Sequence, residues 1–296
     1  MSEPTARDVG ELGLIARITA RLPTSDAVLL GPGDDAALLA FADGRVVATT
    51  DVLVEDVHFR RDWSSAYQIG RKAAAANLAD ISAMGGTAAA LLVGLAVPAD
   101  VEIAWLLELA DGLRDEAAVV GAVIVGGDTV RSEQVVVSVT ALGGLSGAPV
   151  TRSGARPGDL VVLAGRLGWS AAGLEQLHQG ITTGPLVDAH RVPTPPYDAG
   201  PRLAAAGATA MCDVSDGLVH DLSRIALASG VRIELDGDLL PDDVPRRHVL
   251  LGGEDHALVA TIASPVAGLR VIGRVTEGEG VAVDGEQVEQ GWEHFT

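Results

Sequence analysis

Aspartates that follow apolar segments or glycine turns are the residues of this sequence best suited to chemistry. They are Asp34 and Asp35 in GPGDDAALL, Asp51 after VVATT, Asp80 in NLAD, Asp128 after VIVGG, and Asp213 and Asp216 in CDVSDG. Side chains at the strand ends of α/β folds converge on one crevice, where two carboxylates about 4 Å apart repel by about 4 kcal/mol at an effective dielectric of 20. Such a cluster needs cations, and oxygen ligands without Cys or His indicate a hard cation, with Mg²⁺ beside bound phosphate favoured.

Each aspartate also has an ordinary structural interpretation, because Asp is common at turns and helix N-caps. Asp216, before Gly217, suits an N-cap. Recurrence of the pattern in five separate segments favours metal binding for the set. Thr49 and Thr50, before Asp51, could add hydroxyl or carbonyl oxygens.

Nucleotide phosphate is a natural partner of such a metal site, but the glycines alone are weak evidence for it. Gly31, Gly33, Gly126 and Gly127 would let the main chain approach a phosphate closely. The chain lacks G-x-x-x-x-G-K-[ST], and its one lysine, Lys72, is not beside a suitable glycine loop. A Walker-type NTPase is therefore excluded.

Composition limits the class of protein. At 296 residues, with 48% hydrophobic and 21% charged residues, the chain is expected to form two globular domains. The formal net charge of -19 disfavours nucleic acid as a partner. Cys212 is the single cysteine, which excludes an intrachain disulfide.

No membrane or export signal is expected. The N-terminal segment is predicted to be an amphipathic helix carrying Leu12, Ile15, Ile18 and Leu22, and it lacks the pattern of a signal peptide. The longest apolar run, 88–97, is far shorter than the roughly 20 residues of a membrane helix. We expect a cytoplasmic protein without a membrane partner.

Hydrophobic periodicity predicts mixed α/β structure in two units, with domains at 1–143 and 144–296 separated by a Gly-, Pro-, Ser- and Arg-rich junction at 143–158. Predicted strands are 46–50, 91–97, 122–125, 135–142, 159–164, 231–235 and 257–262. Predicted helices are 69–84, 101–120, 170–178 and 217–229.

Eight segments together resemble a known family. They are GPGDDAALL, TTDVLVEDVHF, NLADISAMG, GGDT, TRSGARPGD, DVSDGL, GGED and GWEHF. In this order they resemble thiamine-monophosphate kinases, which belong with aminoimidazole ribonucleotide synthetase and selenophosphate synthetase to one superfamily. The related synthetases share the acidic scaffold but not the VHF and terminal GWEHF-like segments.

The resemblance implies roles for individual residues. The implied magnesium ligands are Asp35, Thr49, Thr50, Asp51, Asp80, Asp128, Asp213 and Asp216. The residues that would face ATP are Gly127, Asp128, Arg152 and Ser215. The implied contacts to thiamine monophosphate are His58, Glu254 and Trp292.

The resemblance also implies the fold and assembly. The expected architecture is a two-domain aminoimidazole ribonucleotide synthetase-like α/β (mixed α+β) fold. The N-terminal domain would bind ATP and Mg²⁺ and form a homodimer through a β-barrel interface, and the C-terminal α/β domain would complete the active site. His256 stands where the family usually has Tyr after GGED, and we expect it to touch no proposed ligand.

The implied reaction is in-line transfer of the γ-phosphate of ATP to thiamine monophosphate, assisted by several Mg²⁺ ions. The acceptor is a phosphate oxygen that is ionised at neutral pH, so no general base is expected. An alternative is another ATP-using member of the superfamily, either selenophosphate synthetase-like or an ATP-dependent cyclase. A third hypothesis, from a different class, is a non-catalytic acidic module that holds divalent ions.

Overall fold

The computed structural model describes Thr5, Asp8 and residues 13–14, 17–30 and 38–288. Two compact units make up the chain: the first is 1–81 with 87–145, and the second is 82–86 with 146–296. Near the N-terminus residues 13–14 and 17–19 are helical, whereas Leu12 and Ile15 lie outside the described residues. No helix in the described part of the chain is long and apolar enough to cross a membrane.

The first unit contains a four-stranded sheet with the order β3-β6-β4-β5. The strands of this sheet are β3 Val47–Val54, β4 Gly86–Val97, β5 Val123–Arg131 and β6 Val136–Leu145, and a separate two-stranded sheet consists of β1 Val28–Leu30 and β2 Leu38–Leu39. The helices of the unit are α1 Ala66–Ala83 and α2 Ile103–Val119. Strand β3 is antiparallel to β6, while β4 and β5 are parallel. Strands β3 and β5 therefore form the two edges of this sheet.

The second unit contains a seven-stranded sheet with the order β13-β12-β9-β11-β7-β10-β8. Its strands are β7 Leu160–Ala164, β8 Ala210–Val214, β9 Arg232–Leu235, β10 Ala257–Ile262, β11 Arg270–Thr276, β12 Gly280–Val283 and β13 Glu286–Gln287. Its helices are α3 Trp169–His178, α4 Pro185–Arg191, α5 Ala199–Ala205, α6 Leu218–Ser229 and α7 Arg246–Leu251.

The central strands of this second sheet are buried on both faces. In β10, Ala257 and Val259 belong to one core cluster, and Leu258, Ala260 and Ile262 to another. Helix α6 packs in the first cluster through Leu222, and α5 in the second through Leu203. Burial on both faces explains why these strands are continuous apolar runs in the sequence.

The structure contains every predicted strand and helix but moves several of their ends, and β4, for example, begins at Gly86, five residues before the predicted start. Strand β10 has the predicted bounds, and α3 and α6 begin within a residue of prediction. The prediction that strands end before Asp51 and Asp128 is wrong, because β3 and β5 continue past both residues. Asp51 is only partly buried and Asp128 is exposed, so both strands can carry a polar side chain at these positions.

Candidate functional site

Strand β3 and helix α1 bring together three of the residues that the sequence singles out. The hydroxyl of Thr49 donates a hydrogen bond to Oδ2 of Asp80 at 2.6 Å. The main-chain N–H of Asp51 donates to Oδ1 of Asn77, one helical turn before Asp80, at 3.0 Å. The last turns of α1 therefore lie along β3 and place a carboxylate beside the strand's hydroxyl oxygen.

Thr50 points to the other side of the same strand, since successive side chains alternate between faces. Its hydroxyl donates to the carbonyl oxygen of Val139 and accepts from the hydroxyl of Thr140, both at 3.0 Å and both on β6. The Thr50 hydroxyl therefore has a structural role between strands, separate from the Thr49–Asp80 pair.

Gly127 and Asp128 lie on the opposite edge of the sheet, on β5. Asp128 is exposed and accepts a hydrogen bond from the main-chain N–H of Thr129 at 2.9 Å. A Cβ atom at Gly127 would lie 2.0 Å from the carbonyl oxygen of Val93, so close strand packing also demands glycine here. Two strands, β6 and β4, separate Asp128 from Asp51.

In the second unit, Asp213 lies within β8 and its side chain is buried. Its Oδ2 is 3.0 Å from Nδ1 of His256, the residue immediately before β10. The expectation that His256 touches no proposed ligand is therefore wrong. Strands β8 and β10 are antiparallel neighbours, and this pairing brings together residues 43 positions apart.

Asp216 forms a compact group with two residues of α6 that the sequence analysis did not identify. One ligand atom from each of Asp216, His220 and Asp221 lies within 4.8 Å of the others. Arg224, also on α6, donates to Oδ2 of Asp216 at 3.1 Å. The suggestion that Asp216 caps this helix is wrong, because Gly217 is the N-cap residue.

Negative charge accumulates in this group. Burial, followed by the like charges of Asp213 and Asp216, raises the pKa of Asp221 to about 7 from an ordinary value of 3.8. Main-chain hydrogen bonds and the Arg224 guanidinium act in the opposite direction. A bound cation would offset the same repulsion, so the donor chemistry of this region suits a hard divalent ion.

The GGED segment is docked against the loop that carries Ser215. The main-chain N–H of Glu254 donates to the carbonyl oxygen of Ser215 at 2.7 Å, and that of His256 donates to Val214 at 2.9 Å. Glu254 and His256 both have positive φ angles, of 63° and 51°. A Cβ at Gly253 would lie 2.3 Å from the Ser215 carbonyl oxygen, which explains the glycine.

Of the other implied ligand-binding residues, His58 and Arg152 lie within the described part of the chain. Nδ1 of His58 accepts a hydrogen bond from the main-chain N–H of Val54 at 3.1 Å, so this histidine also shapes a turn. Arg152 is exposed. Asp35 and Trp292 lie outside the described residues, as do Gly31 and Gly33.

Comparison with known proteins identifies the family to which this chain belongs. The model of the AIR synthase related protein N-terminal domain matches residues 33–145, and that of the corresponding C-terminal domain matches 156–286. A thiamine-monophosphate kinase of Mycobacterium tuberculosis is 50% identical over 311 residues, which cover 99% of this chain and 93% of that protein. The chain belongs to the thiamine-monophosphate kinase family.

Solved structures agree with this assignment of the chain to the thiamine-monophosphate kinases. The enzyme of Stenotrophomonas maltophilia has a TM-score of 0.81 at 35% identity, covering 93% of this chain and 95% of that one. The complex of AaThiL with AMPPCP and TMP has a TM-score of 0.81 at 35% identity, covering 98% of both chains. The resemblance and the two-domain α/β fold expected from the sequence are confirmed.

Asp255, beside Glu254 in this family member, provides a test of the local electrostatics. Its carboxylate is buried and accepts the N–H groups of Gly168 at 2.5 Å and Ser170 at 2.8 Å, at the start of α3. Burial raises the pKa of Asp255 from 3.8 to about 6 despite these hydrogen bonds. The folded state therefore binds the proton more tightly than the unfolded state does.

We predict that Asp255→Asn changes the pH dependence of stability. The stabilisation that Asp255 contributes is fully present below its unfolded pKa and is lost as pH rises through about 6. The free energy of unfolding of wild type minus that of the variant should fall by up to about 3 kcal/mol between pH 4 and pH 7. Urea unfolding at several pH values measures this difference, and a constant difference would contradict the raised pKa.

Proposed function

We propose that this protein transfers the γ-phosphate of ATP to thiamine monophosphate, forming thiamine diphosphate, with several Mg²⁺ ions. The observation that carries the proposal is the likeness, over 98% of both chains, to AaThiL complexed with AMPPCP and TMP. AMPPCP is an analogue of ATP and TMP is the acceptor, so that structure combines both reactants. The proposed location is the cytoplasm, where ATP is available.

The described ligand candidates fit magnesium by chemistry. They offer carboxylate and hydroxyl oxygens, which hard cations prefer, and none is a cysteine. The proposed metal ligands within the described residues are Thr49, Thr50, Asp51, Asp80 and Asp128 of the first unit and Asp213 and Asp216 of the second. Asp35, which lies outside the described residues, is also a proposed ligand. Because Asp51 and Asp128 lie on opposite edge strands, the sheet favours more than one ion.

The remaining proposed contacts divide between the two reactants. Gly127, Asp128, Arg152 and Ser215 would face ATP, and the exposed guanidinium of Arg152 is suited to a bidentate contact with phosphate. His58, Glu254 and Trp292 would contact the acceptor. An aromatic ring such as that of Trp292 favours the cationic thiazolium by about 0.5 to 2 kcal/mol.

Catalysis in this proposal comes from positioning and charge neutralisation, not from proton transfer. The acceptor oxygen is already ionised at neutral pH, so the chain needs no general base. Bound Mg²⁺ would supply neutralisation of the charge on the phosphates. The protein's carboxylates hold the ions, while Ser215, Gly127 and Arg152 orient the nucleotide for in-line attack.

The direct test is to incubate the protein with ATP, Mg²⁺ and thiamine monophosphate and to detect thiamine diphosphate. We expect stoichiometric formation of ADP and thiamine diphosphate that stops when EDTA removes the metal. Thiamine without a phosphate serves as the control acceptor. ATP consumption without thiamine diphosphate would favour another ATP-using member of the superfamily, and no consumption would favour a non-catalytic ion-binding module.

We further propose a homodimer formed through the first unit's sheet. Val52 on β3, Leu92 on β4 and Val130 on β5 are 46%, 36% and 52% exposed, and exposed apolar surface of this kind marks interaction sites.

Sedimentation equilibrium should give twice the chain mass of 30.2 kDa. Val52→Asp should shift the protein to monomer, whereas Val119→Asp, at a 62% exposed position of α2, should not. A monomeric wild type at micromolar concentration would contradict the proposal.

A further inference from the structure

Asp221, in the first turn of α6, makes an unusual set of contacts for a residue outside the proposed ligands. Its side chain is 2% exposed. The single oxygen Oδ2 accepts three consecutive main-chain N–H groups, those of Ser215 at 3.1 Å, Asp216 at 3.0 Å and Gly217 at 3.2 Å. One buried carboxylate therefore gathers the whole loop between β8 and α6.

The contacts of Asp221 determine the conformation of that loop. N–H groups at the N-terminus of a helix have no acceptor within the helix. Here Oδ2 of Asp221 is the acceptor for all three N–H groups of the loop. From the other side, the carbonyl oxygen of Ser215 accepts the N–H of Glu254 at 2.7 Å. The loop is thus held between the start of α6 and the GGED segment.

The loop held in this way carries two residues with proposed roles in the reaction. Ser215 is a proposed ATP contact and Asp216 a proposed metal ligand. The second oxygen of Asp221, Oδ1, is 3.6 Å from Nδ1 of His220, and the same ring atom is 3.5 Å from Oδ2 of Asp216. Asp221 therefore holds Asp216 through the main-chain N–H of Asp216, while Nδ1 of His220 lies near both carboxylates but is hydrogen-bonded to neither.

We propose that Asp221 is a positioning residue, which fixes Ser215 and Asp216 in the arrangement that binds the magnesium–nucleotide complex. This inference rests on the proposed function. Three main-chain donors share the single oxygen Oδ2, and a carboxylate is the strongest acceptor that a side chain can offer them, because charge-assisted hydrogen bonds are roughly twice as strong as neutral ones. Residues of this kind, which orient ligands without touching the ion, typically change metal affinity or activity by 10- to 100-fold when replaced.

The test is Asp221→Asn, which keeps the shape of the side chain and removes its charge. Calorimetric titration with AMPPCP and Mg²⁺ should show binding at least about tenfold weaker than wild type. The KM for ATP should rise by a similar factor, while the KM for thiamine monophosphate should change much less. Hydrogen exchange of the amides at 215–217 should become faster in the variant, because these are the groups whose acceptor is weakened.

A matched control separates positioning from general stability. Asp159, 5% exposed, is also a buried carboxylate of the second unit, and accepts the N–H of Arg156 at 2.9 Å and the hydroxyl of Thr209 at 2.7 Å. Asp159→Asn should lower the melting temperature and leave AMPPCP–Mg²⁺ binding unchanged. If Asp221→Asn does not fold, Asp221→Glu, which keeps the charge but displaces it by one methylene, takes its place with the same expected changes.

Two results would overturn the inference. One is a folded Asp221 variant that binds AMPPCP–Mg²⁺ as tightly as wild type, and the other is unchanged exchange at 215–217. Failure of the proposed function looks different, because the wild-type protein itself would then make no thiamine diphosphate. The exchange measurement does not depend on that activity.

Discussion

Replacing Asp128 by Asn is expected to lower the rate of thiamine diphosphate formation by at least about a hundredfold while leaving the fold intact. Loss of one group that stabilises charge in a transition state typically costs 10² to 10³ in rate. Asp128 is exposed, and its contact with the N–H of Thr129 is local, so an amide is tolerated structurally. The carboxylate charge, by contrast, is what binds the ion in the proposed site.

Rate measurements across a Mg²⁺ titration, paired with thermal melting, test this expectation. Asp51→Asn should behave in the same way, because its side chain is only partly buried on edge strand β3. The matched control is Asp100→Asn, an exposed carboxylate of the same unit with no proposed role. Full activity of either site variant in saturating Mg²⁺ would count against the metal-binding proposal.

The parts of the fold that sequence predicts are those whose burial is uniform. Strand β10 is buried at all six positions, so its apolar run defines both ends. Apolar runs predict the ends of β3 and β5 too early, because Asp51 and Asp128 interrupt the runs at positions that are partly buried or exposed. Short helices such as α4 and α5, with seven residues each, give too few turns for a periodic signal.

The candidate site also contains some residues that the sequence reveals and others that only the structure reveals. Aspartates next to glycine turns are visible in the sequence because their spacing recurs. The role of Asp221 is not visible in the sequence, because its partners are main-chain N–H groups, which every residue type except proline has. The only available signal was an acidic residue in the first turn of a predicted helix. The contact of His256 with Asp213 depends on the pairing of β8 with β10, which the local sequence does not reveal.

Helices α1 and α2 of the first unit meet at two glycines, and replacing either glycine is expected to have a large effect on stability. A Cβ atom at Gly112 would lie 2.1 Å from the carbonyl oxygen of Tyr67, and one at Gly70 would lie 2.1 Å from that of Leu109. The main chains are therefore in direct contact. The Arg71–Glu116 ion pair, at 2.6 Å, joins the same two helices.

Gly112→Ala should destabilise the protein although alanine is the better helix former. Alanine gains about 1 kcal/mol over glycine in a helix interior, whereas overpacking a close contact costs about 1 to 3 kcal/mol and occasionally more. Here the obstacle is main chain, so the helices must separate by more than about 1 Å to restore van der Waals distance. That separation also loosens the contact at Gly70, so we expect a net loss of about 2 kcal/mol and a melting temperature about 5 °C lower.

Thermal and urea unfolding of four variants isolate the cause of this loss. Gly70→Ala should be destabilised like Gly112→Ala, and the double variant should cost less than the sum, because one separation of the helices relieves both clashes. Gly144→Ala is the control, since its Cβ would meet Phe41 at an ordinary 3.7 Å. A Gly112→Ala protein that melts at or above the wild-type temperature would mean that the spacing of α1 and α2 does not depend on glycine, and that helix propensity outweighs the contact.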